Sequence, residues 1–585
     1  MALGKAGSGK TVLGAGLIEN AKAAFPDQSF FYFFFSSLQP ATNTSSAAYR
    51  AILSQALHKH IDNSKLVEKI LFSMYFGLDG QLSVSNPEAG DLFELCLQLP
   101  ELENSTIVLD GLDECEDVEN NLMPRLTRLV SQTRIKTVFL GRSSVQRHLK
   151  NIPDVIELQV GHLNTDDIRL YLQDELATAV DEGLLPKTLN QDVIAQRLSS
   201  RANGMFLWAR LMMAYLRSPG LLMSERREAI STIDLPEGLE KMYERILKHM
   251  ARAGKASLRL ACFIFMCLVY MKSELSIREL EDAVISRKRG GIDEPSRHIP
   301  NFVDNVLSVC GGFVEKTWTL SPTGQRKTSF RFIHISVMEY LMTEPERKEK
   351  GTSIFEDMVL LPAPQAAHTS LATLLVEYII YALPKQVLSS QHFKDNLLAE
   401  FPLSCYAAMH WPGHMLAANG DPAAIQMASS QHPHVYADFV SALCQLLSNS
   451  NAISTWIQTC YVFHEIPPYV ELAYWVEGAS QPDFPWRRHI SYLDDIIPNV
   501  ESLGLHLQKV VADWGAHLAR DPGCVWEEVG AFDPTAFSTA PRGTTVRKLI
   551  SGTKSSTIAS EAIHKISQLM PNGEHDYVLS VFPGK

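Results

Sequence analysis

The stretch GKAGSGKT, Gly4 to Thr11, constrains this chain more than any other part of its sequence. It fits the pattern G-x-x-x-x-G-K-[ST], in which small residues let successive backbone N–H groups converge on phosphate oxygens at the N-terminus of a helix. A run compatible with a helix, TVLGAGLIENAKAAF, begins at Thr11. The alternative is a Gly-rich surface turn, but the helical run directly after the glycines favours a phosphate-binding P-loop.

In a P-loop each residue type has a defined role. Lys10 would reach the β- and γ-phosphates of a nucleotide, and the Thr11 hydroxyl would hold Mg²⁺. A P-loop follows a buried parallel strand, and here only three residues precede it, so we expect a truncated first strand and a chain that is incomplete at its N-terminus. The loop residues predicted to contact a nucleotide are Gly4, Ala6, Gly7, Ser8, Gly9, Lys10, Thr11 and Val12.

The composition is that of a globular protein and excludes several classes. The 585 residues are 46% hydrophobic and 20% charged, enough for roughly three or four domains. A formal net charge of -12 argues against binding to nucleic acid. The nine cysteines form no C-x-x-C pair, which favours buried thiols in a reducing compartment. The longest apolar run is too short to span a bilayer and no secretory signal is visible, so we expect a cytoplasmic protein.

Three apolar segments predict the first part of a parallel sheet. The run SFFYFFFSS, Ser29 to Ser37, is typical of a strand buried on both faces. Helical sequence follows at Ala47 to His60 and at Lys65 to Phe72. A second apolar strand, Thr106 to Leu109, then ends in an acidic sequence, and a third, KTVFLGRSS, occupies Lys136 to Ser144.

The acidic sequence after the second of these strands suits a Walker B site. Asp110 at the end of the strand could hold Mg²⁺ directly or through water. Asp113 and Glu114 lie just beyond, where a carboxylate could orient or deprotonate the attacking water. An acidic turn after a core strand is the alternative, and the P-loop upstream favours the Walker B interpretation.

An arginine follows the third strand at a position suited to phosphate. Arg142 could sense or neutralise the γ-phosphate from the end of a parallel strand. An arginine on an exposed strand end is the equally weighted alternative. A further strand at Val155 to Val160 would complete a parallel α/β domain.

Together these motifs resemble the NACHT-type P-loop NTPases of the STAND class. The chain is most similar to the fungal set with a nephrocystin-like N-terminal P-loop domain, which includes heterokaryon-incompatibility proteins. The resemblance covers about residues 1 to 345. The motifs that carry it, in order, are GKAGSGKT, VLDGLDEC, FLGRSS, ANGMFLWARLMMAYL, LPEGLEKMYERIL and FRFIHISVMEYLM.

The resemblance implies a signal-transducing NTPase that holds ATP or ADP with Mg²⁺. Its domains would be a P-loop NTPase domain at 1–162, a helical domain at 163–250 and a winged-helix domain at 251–345. A helical region at 346–450 would follow, and then a C-terminal region at 451–585 whose fold is not predicted and which could link to a sensor. The sequence departs from the family at Gly141, where Ser or Thr is usual, and at Phe206, where many relatives have a proline that contacts adenine.

Local sequence adds detail to the two middle domains. Asn164 resembles an N-cap for the helix IRLYLQDEL, and Ser276 with Glu279 has capping-box spacing. Phe206 is expected to be core. The predicted winged helix lacks a basic recognition helix, because residues 302–310 contain no Lys or Arg, so a docking role within the protein is favoured over DNA binding.

His334 is the candidate contact between the winged-helix domain and the nucleotide. It is expected on a rigid strand, and the resemblance implies that its imidazole contacts a phosphate. A buried core histidine is the equally weighted alternative. Beyond residue 350 the sequence predicts further helices, at Leu371–Ala382, Phe401–Ala418 and Val435–Leu447, and then linker and short strands around CVWEEVGAFDPTAF and PRGTTVRKLISGTKSSTIAS.

The sequence as a whole predicts a nucleotide-dependent switch. ADP would hold a closed form, ATP would open it, and slow hydrolysis would reset it. The resemblance implies a role in fungal non-self recognition or programmed cell death, with protein partners or self-association on activation. The alternative is an inactive interaction scaffold with a relic P-loop. A force-producing or metabolic ATPase is disfavoured, because no substrate site or second arginine finger is apparent.

Overall fold

A computed structural model describes most of the chain. The described residues are 1–37, 42–59, 61–62, 64, 68, 104–149, 155–162, 164–231, 236–287, 298–320, 326–343, 359–387, 393–420, 425, 434–533 and 535–539. They form two compact units. The first comprises Met1–Lys255, Leu307–Glu315 and Phe332–Tyr340, and the second comprises Ala256–Val306, Lys316–Arg331 and Leu341–Lys585.

The first unit begins with a P-loop type of α/β arrangement and continues with helices. Its elements up to the last strand of the sheet are β1 (Ala2–Leu3), α1 (Lys10–Ala24), β2 (Phe30–Phe34), α2 (Ser45–Lys59), β3 (Thr106–Asp110), α3 (Met123–Gln132), β4 (Lys136–Gly141), α4 (Gln146–Leu149) and β5 (Leu158–Gln159). Five helices follow, α5 (Thr165–Asp181), α6 (Gln191–Ala202), α7 (Phe206–Leu216), α8 (Met223–Ala229) and α9 (Gly238–Arg252).

The remaining elements with described bounds begin with α10 (Lys255–Tyr270), α11 (Ile277–Ser286), α12 (Phe302–Val309), β6 (Val314–Leu320), β7 (Arg326–Phe332) and α13 (Ile335–Met342). They continue with α14 (Pro364–Glu377), α15 (Phe393–Glu400), α16 (Ser404–Ala417), α17 (Val435–Leu447), α18 (Ser450–Val462), α19 (Tyr469–Ala479), α20 (Leu493–Leu518) and α21 (Glu528–Phe532). Strands β6 and β7 form a separate two-stranded sheet.

The main sheet has the order β2-β3-β4-β1-β5, and the pairings of its described registers are parallel. Side chains alternate across it: Ile107 and Leu109 join the core on one face, whereas Val108 joins a second core with Ile18 and Leu140 on the other. The sheet is therefore covered on both faces, as parallel sheets are. The first strand is present as two buried residues that pair with both β4 and β5.

The aromatic strand differs from its prediction. Strand β2 lies at an edge of the sheet, and only Phe31 of its five residues is fully buried. The expectation of burial on both faces is therefore wrong, because an apolar run does not by itself show whether a strand is central or at an edge. The predicted helix at Ala47 to His60 is confirmed as α2, and the one at Lys65 to Phe72 lies almost wholly outside the described residues.

The second unit is mostly helical, as expected for the region beyond residue 350. Four of its tryptophans, Trp411, Trp456, Trp475 and Trp486, are completely buried. The segment CVWEEVGAFDPTAF is neither linker nor strand, because it folds as a 3₁₀ turn and α21 with Trp526 and Phe532 buried. The segment PRGTTVRKLISGTKSSTIAS lies outside the described residues.

The capping box predicted at Ser276 and Glu279, at the start of α11, is confirmed. Ser276 Oγ accepts from the Glu279 N–H at 3.2 Å, and the Ser276 N–H donates to Glu279 Oε2 at 2.6 Å. Helices α10, α11 and α12 precede β6 and β7 in the order that a winged helix has. The winged-helix assignment and the predicted domain boundaries stay predictions.

Candidate functional site

The strand register brings three loops of the first unit to one edge of the sheet. Leu3 at the end of β1 pairs with Gly141, and Asp110 at the end of β3 pairs with Leu140. Since the carboxyl ends of parallel strands meet at the same edge, the chain leaves β1, β3 and β4 side by side. The P-loop, the acidic sequence and Arg142 therefore converge, as the sequence predicted.

The P-loop backbone is shaped by glycines that no other residue could replace without strain. Gly7 has φ 67°, and a Cβ there would lie 2.3 Å from Leu207 Cβ. Gly9 has φ 85° and precedes α1, whose N-terminus has no side-chain cap and no acidic residue in its first turn. Such an N-terminus presents backbone N–H groups and a positive dipole end to an anion. The loop thus fits a phosphate group.

Lys10 lies folded back over this loop. Its Nζ donates to the backbone oxygens of Gly4 at 3.1 Å and Lys5 at 3.0 Å. Burial lowers the pKa of Lys10, and the nearby carboxylates of Asp113 and Asp110 oppose that shift. A half-buried ammonium whose hydrogen-bond partners are neutral backbone oxygens is well suited to an anionic phosphate.

The two residues predicted to hold Mg²⁺ are in contact. Thr11 Oγ1 donates to Asp110 Oδ2 at 2.5 Å. Asp110 is buried, which raises the pKa of its carboxyl, while the Thr11 hydrogen bond and the Lys10 charge oppose the rise. Among the described residues no group of three or more His, Cys, Asp or Glu could hold a metal ion. Hard oxygen ligands from one hydroxyl and one carboxylate suit Mg²⁺ only when nucleotide oxygens and waters complete its shell.

Asp113 and Arg142 form a closely bonded pair. Asp113 Oδ1 accepts from the Arg142 N–H at 2.9 Å, and Asp113 Oδ2 lies 3.0 Å from Arg142 Nε. Arg142 Nη1 also donates to both oxygens of Glu339, at 2.9 and 3.0 Å. Burial opposes the charge of Arg142, but Glu339, Asp113 and Glu114 outweigh it and raise its pKa. The side chain of Arg142 is therefore not simply exposed at the end of its strand. Both carboxylate oxygens of Asp113 contact Arg142.

Glu114 has different partners. Its Oε2 accepts from the N–H of Ser37 at 3.0 Å and from the Ser37 hydroxyl at 3.1 Å. Burial raises the pKa of Glu114, and the two Ser37 hydrogen bonds lower it. Of the two carboxylates predicted to act on water, Glu114 is the one that does not hold an arginine through a direct ion pair.

His334 reaches the P-loop, although not from a strand. It lies in the bend between the end of β7 at Phe332 and the start of α13 at Ile335, so its predicted place on a strand is wrong. The Gly7 N–H donates to His334 Nε2 at 3.2 Å. Burial lowers the pKa of His334 to about 4, with a further contribution from the charges of Arg142 and Lys10. The imidazole is neutral at pH 7 and accepts a hydrogen bond from the loop.

A cavity of about 410 Å³ joins these residues. Sequence reasoning missed Tyr171 and Arg210 in its wall. Arg210 lies one helical turn after Phe206, so its place on the same face of α7 was readable from spacing, whereas nothing local marked Tyr171. Phe206, expected to be core, is half-buried and lines the cavity 6.4 Å from the Tyr171 ring. The lining residues are Gly7, Ser8, Gly9, Lys10, Thr11, Val12, Asp110, Gly111, Asp113, Glu114, Arg142, Tyr171, Phe206, Leu207, Arg210, Ile333 and His334.

Asn164 occupies the N-cap position of α5, but its side chain supports the P-loop. It precedes α5, but its side chain makes no capping hydrogen bond. Asn164 Nδ2 donates instead to the backbone oxygen of Ser8 at 2.6 Å. The predicted N-cap position is confirmed, but the side-chain cap is absent, because the nearby P-loop carbonyl offers the amide a partner that sequence alone does not reveal.

Comparison with known proteins agrees with the motifs. Residues 2–143 match the family described as Nephrocystin 3, N-terminal. The chain is also 22% identical over 493 residues to the vegetative incompatibility protein HET-E-1 of Podospora anserina. The predicted resemblance to NACHT-type proteins like HET-E-1 is confirmed. That match covers 82% of this chain but 33% of HET-E-1, so the chain spans about a third of the length of this relative.

Two solved structures match part of this chain, with low sequence identity and low structural similarity. The Aeropyrum pernix ORC1 protein, solved in complex with DNA, is 16% identical, with 59% of this chain and 86% of that chain covered and a TM-score of 0.24. The Aeropyrum pernix ORC2 protein, solved as ADPNP–ADP complexes, is 14% identical, with 58% and 86% covered and a TM-score of 0.25. TM-scores this low carry no argument about the present chain. None of the helices in the described ranges has the length and apolar character needed to cross a bilayer.

Proposed function

We propose that this chain is a nucleotide-dependent signalling switch that holds ADP or ATP with Mg²⁺ in the cavity of its first unit. The observation that carries the proposal is the hydrogen bond between the Gly7 N–H and His334 Nε2. It joins the P-loop to the segment between β7 and α13, more than 300 residues away along the chain. A segment that contacts the loop which binds phosphate can respond to the nucleotide bound there.

Four side chains of the cavity bind the nucleotide and its metal ion in this proposal. Lys10 and the N-terminus of α1 bind the phosphates, and Thr11 with Asp110 hold Mg²⁺. Mg²⁺ would neutralise phosphate charge when bound. Phe206 offers an apolar surface to the base.

The two states of the switch would differ at Arg142 and His334. With ADP, His334 contacts the phosphates and Arg142 stays paired with Glu339, which keeps α13 against the nucleotide site. With ATP, the guanidinium of Arg142 would pair with the γ-phosphate and release Glu339. The ion pair that holds α13 against the nucleotide site would then be lost. Glu114 would orient or deprotonate the attacking water in slow hydrolysis that resets the switch.

The biological role follows from the resemblance. HET-E-1 is a vegetative incompatibility protein, and we propose that this chain acts in the same kind of fungal non-self recognition, in the cytoplasm, with protein partners or self-association after opening. The competing function is an inactive scaffold with a relic P-loop. The pairing of Thr11 with Asp110 and the cavity around Lys10 favour the switch, because a relic site has no reason to keep this arrangement.

Nucleotide retention by the full chain tests the proposal. Wild-type protein should retain labelled ADP in the presence of Mg²⁺, and Lys10→Ala should lose it, because a charge-assisted contact with phosphate is worth about 1.5–3 kcal/mol, or tenfold or more in affinity. Lys5→Ala is the matched control, since Lys5 lies in the same loop with its side chain exposed. Equal retention by wild type and Lys10→Ala would leave the scaffold as the better function.

A further inference from the structure

A chain of polar contacts runs from the P-loop into the interior of the first unit. The Gly7 N–H donates to His334 Nε2 at 3.2 Å, and His334 Nδ1 lies 2.8 Å from Ser336 Oγ. Ser336 Oγ in turn lies 2.8 Å from the hydroxyl of Tyr243 on α9. Three side chains thus connect the phosphate loop to a buried helix.

The two nitrogens of His334 each face a backbone donor. The Gly7 N–H points at Nε2, and the Ser336 N–H lies 3.1 Å from Nδ1 and points at it. A neutral imidazole carries one hydrogen, so only one of its nitrogens can accept. Each tautomer of His334 therefore satisfies one backbone N–H and opposes the other.

The Ser336 hydroxyl can serve both tautomers. When the hydrogen is on Nδ1, Nε2 accepts from Gly7, Nδ1 donates to Ser336 Oγ, and the serine hydroxyl is free to donate to Tyr243. When the hydrogen is on Nε2, the single lone pair of Nδ1 is shared between the N–H and the hydroxyl of Ser336, and the Tyr243 hydroxyl donates to Ser336 Oγ. Hydroxyl groups can reverse in this way because each is both donor and acceptor.

A phosphate group in the loop selects between these two forms. P-loop N–H groups donate to phosphate oxygens, which removes the Gly7 hydrogen from Nε2. An anion facing Nε2 is then best met by an N–H on that nitrogen, and the Ser336 N–H and hydroxyl both lie within hydrogen-bond distance of the lone pair of Nδ1. The tautomer with the hydrogen on Nε2 is therefore the one suited to bound nucleotide.

We propose that Ser336 and Tyr243 are positioning residues that set the tautomer of His334 and thereby the rate at which the P-loop releases ADP. This inference rests on the proposed nucleotide switch. Tyr243 is well placed for the task, since its side chain is buried and its ring packs edge-on against Phe313 and tilted against Tyr340. Burial raises its pKa to about 12, so its hydroxyl keeps its proton and can donate or accept.

The tautomer is measurable in the full chain. Nitrogen-15 spectra of protein labelled at histidine distinguish a protonated ring nitrogen from an unprotonated one, and the signals that disappear in His334→Gln assign this residue. We expect the hydrogen on Nδ1 without nucleotide and on Nε2 with ADP and Mg²⁺. In Ser336→Ala, which removes one donor to Nδ1, the change on ADP addition should be incomplete, and in Ser336→Thr, which keeps the hydroxyl, it should be restored.

Release of labelled ADP gives the second readout. Ser336→Ala should speed dissociation about fivefold, the effect of one neutral hydrogen bond, and Tyr243→Phe about twofold because it acts through Ser336. Tyr215→Phe is the control, since Tyr215 lies in the same unit against His249 and outside these contacts. Tyr243→Phe also guards against misfolding, because it keeps the buried ring.

The outcomes separate this inference from the function on which it rests. If wild type retains ADP but its His334 signals do not change, or if Ser336→Ala and Tyr243→Phe release ADP at the wild-type rate, the positioning role is wrong and the switch stands. Equal loss of melting temperature with and without ADP, at an unchanged release rate, would mean that the two hydroxyls serve only packing. If wild type does not retain ADP, the switch itself fails, and the positioning role with it.

Discussion

Two histidines, one in each unit, have strongly lowered pKa values in different surroundings. His334 borders the cavity of the first unit and accepts from the P-loop, with a pKa of about 4. His414 is completely buried in the second unit, where burial and the neighbouring His368 lower its pKa to about 2. Its Nδ1 lies 2.9 Å from His368 Nδ1, and its Nε2 lies 2.9 Å from the hydroxyl of Tyr406.

The difference teaches that a lowered pKa does not identify a functional histidine. Both rings are neutral because burial disfavours charge. His334 combines this with a place in the wall of the cavity, a P-loop donor and two nearby cationic groups, Lys10 and Arg142. Both ring nitrogens of His414 have side-chain partners, His368 and Tyr406. The proposed nucleotide sensing therefore belongs to His334, and we expect His414 to serve structural stability.

The largest effect should come from His414→Ala. Removing a buried ring leaves a cavity and takes one of two hydrogen-bond partners from the hydroxyl of Tyr406, which still accepts from the Lys272 N–H at 2.7 Å. The loss should cost about 3 kcal/mol of the free energy of unfolding. Urea unfolding followed by tryptophan fluorescence measures this, since the second unit contains Trp411, Trp456, Trp475 and Trp486. ADP affinity should be unchanged, and a loss of affinity would break the division of roles between the units.

Within the cavity the next effect concerns hydrolysis. Glu114→Gln should slow single-turnover ATP hydrolysis about 100-fold, the usual contribution of a general base, and leave ATP binding intact. Asp113→Asn is the informative partner variant, because Asp113 holds Arg142. It should weaken discrimination between ATP and ADP more than it changes the hydrolysis of bound ATP. An unchanged rate in Glu114→Gln would remove that residue from the chemistry.

The smallest of these effects should come from Glu339→Gln. It removes the charge that pairs with Arg142, and since 47% of the Glu339 side chain is exposed, solvent limits the loss. We expect about 0.5–1 kcal/mol, which speeds ADP release about two- to fivefold. Glu119→Gln is the matched control, because Glu119 pairs with Arg147 on the surface of the same unit. Equal release rates in the two variants would show that Arg142 does not retain α13.

The sequence predicted the parts of the site that local spacing determines. Lys10 and Thr11 have fixed places in a P-loop, and Asp110 ends an apolar strand, so the motif carries the geometry with it. The helices of the first unit and the helical second unit followed from periodicity.

Contacts between distant segments were not predictable in the same way. The Arg142 pairs with Asp113 and Glu339, the Asn164 bond to Ser8 and the Ser336 contact with Tyr243 each depend on how the chain folds back. Hydrophobic pattern also could not place β2 at the edge of the sheet. The hydrophobic pattern also misjudged the segment CVWEEVGAFDPTAF, because a 3₁₀ turn and a five-residue helix are too short to show a clear period.

The stabilising effect of ADP on wild type, His334→Ala and His414→Ala tests the central claim most directly. The measurement is the melting temperature of each full chain with and without ADP and Mg²⁺. Losing the His334 contact with phosphate should cost about 1.5–3 kcal/mol of ADP binding. We predict that His334→Ala melts near wild type without ADP and gains much less from it, whereas His414→Ala melts lower in both conditions and keeps the full gain. A similar loss of stability in His334→Ala with and without ADP would contradict the account, because it would mean that His334 packs and does not sense.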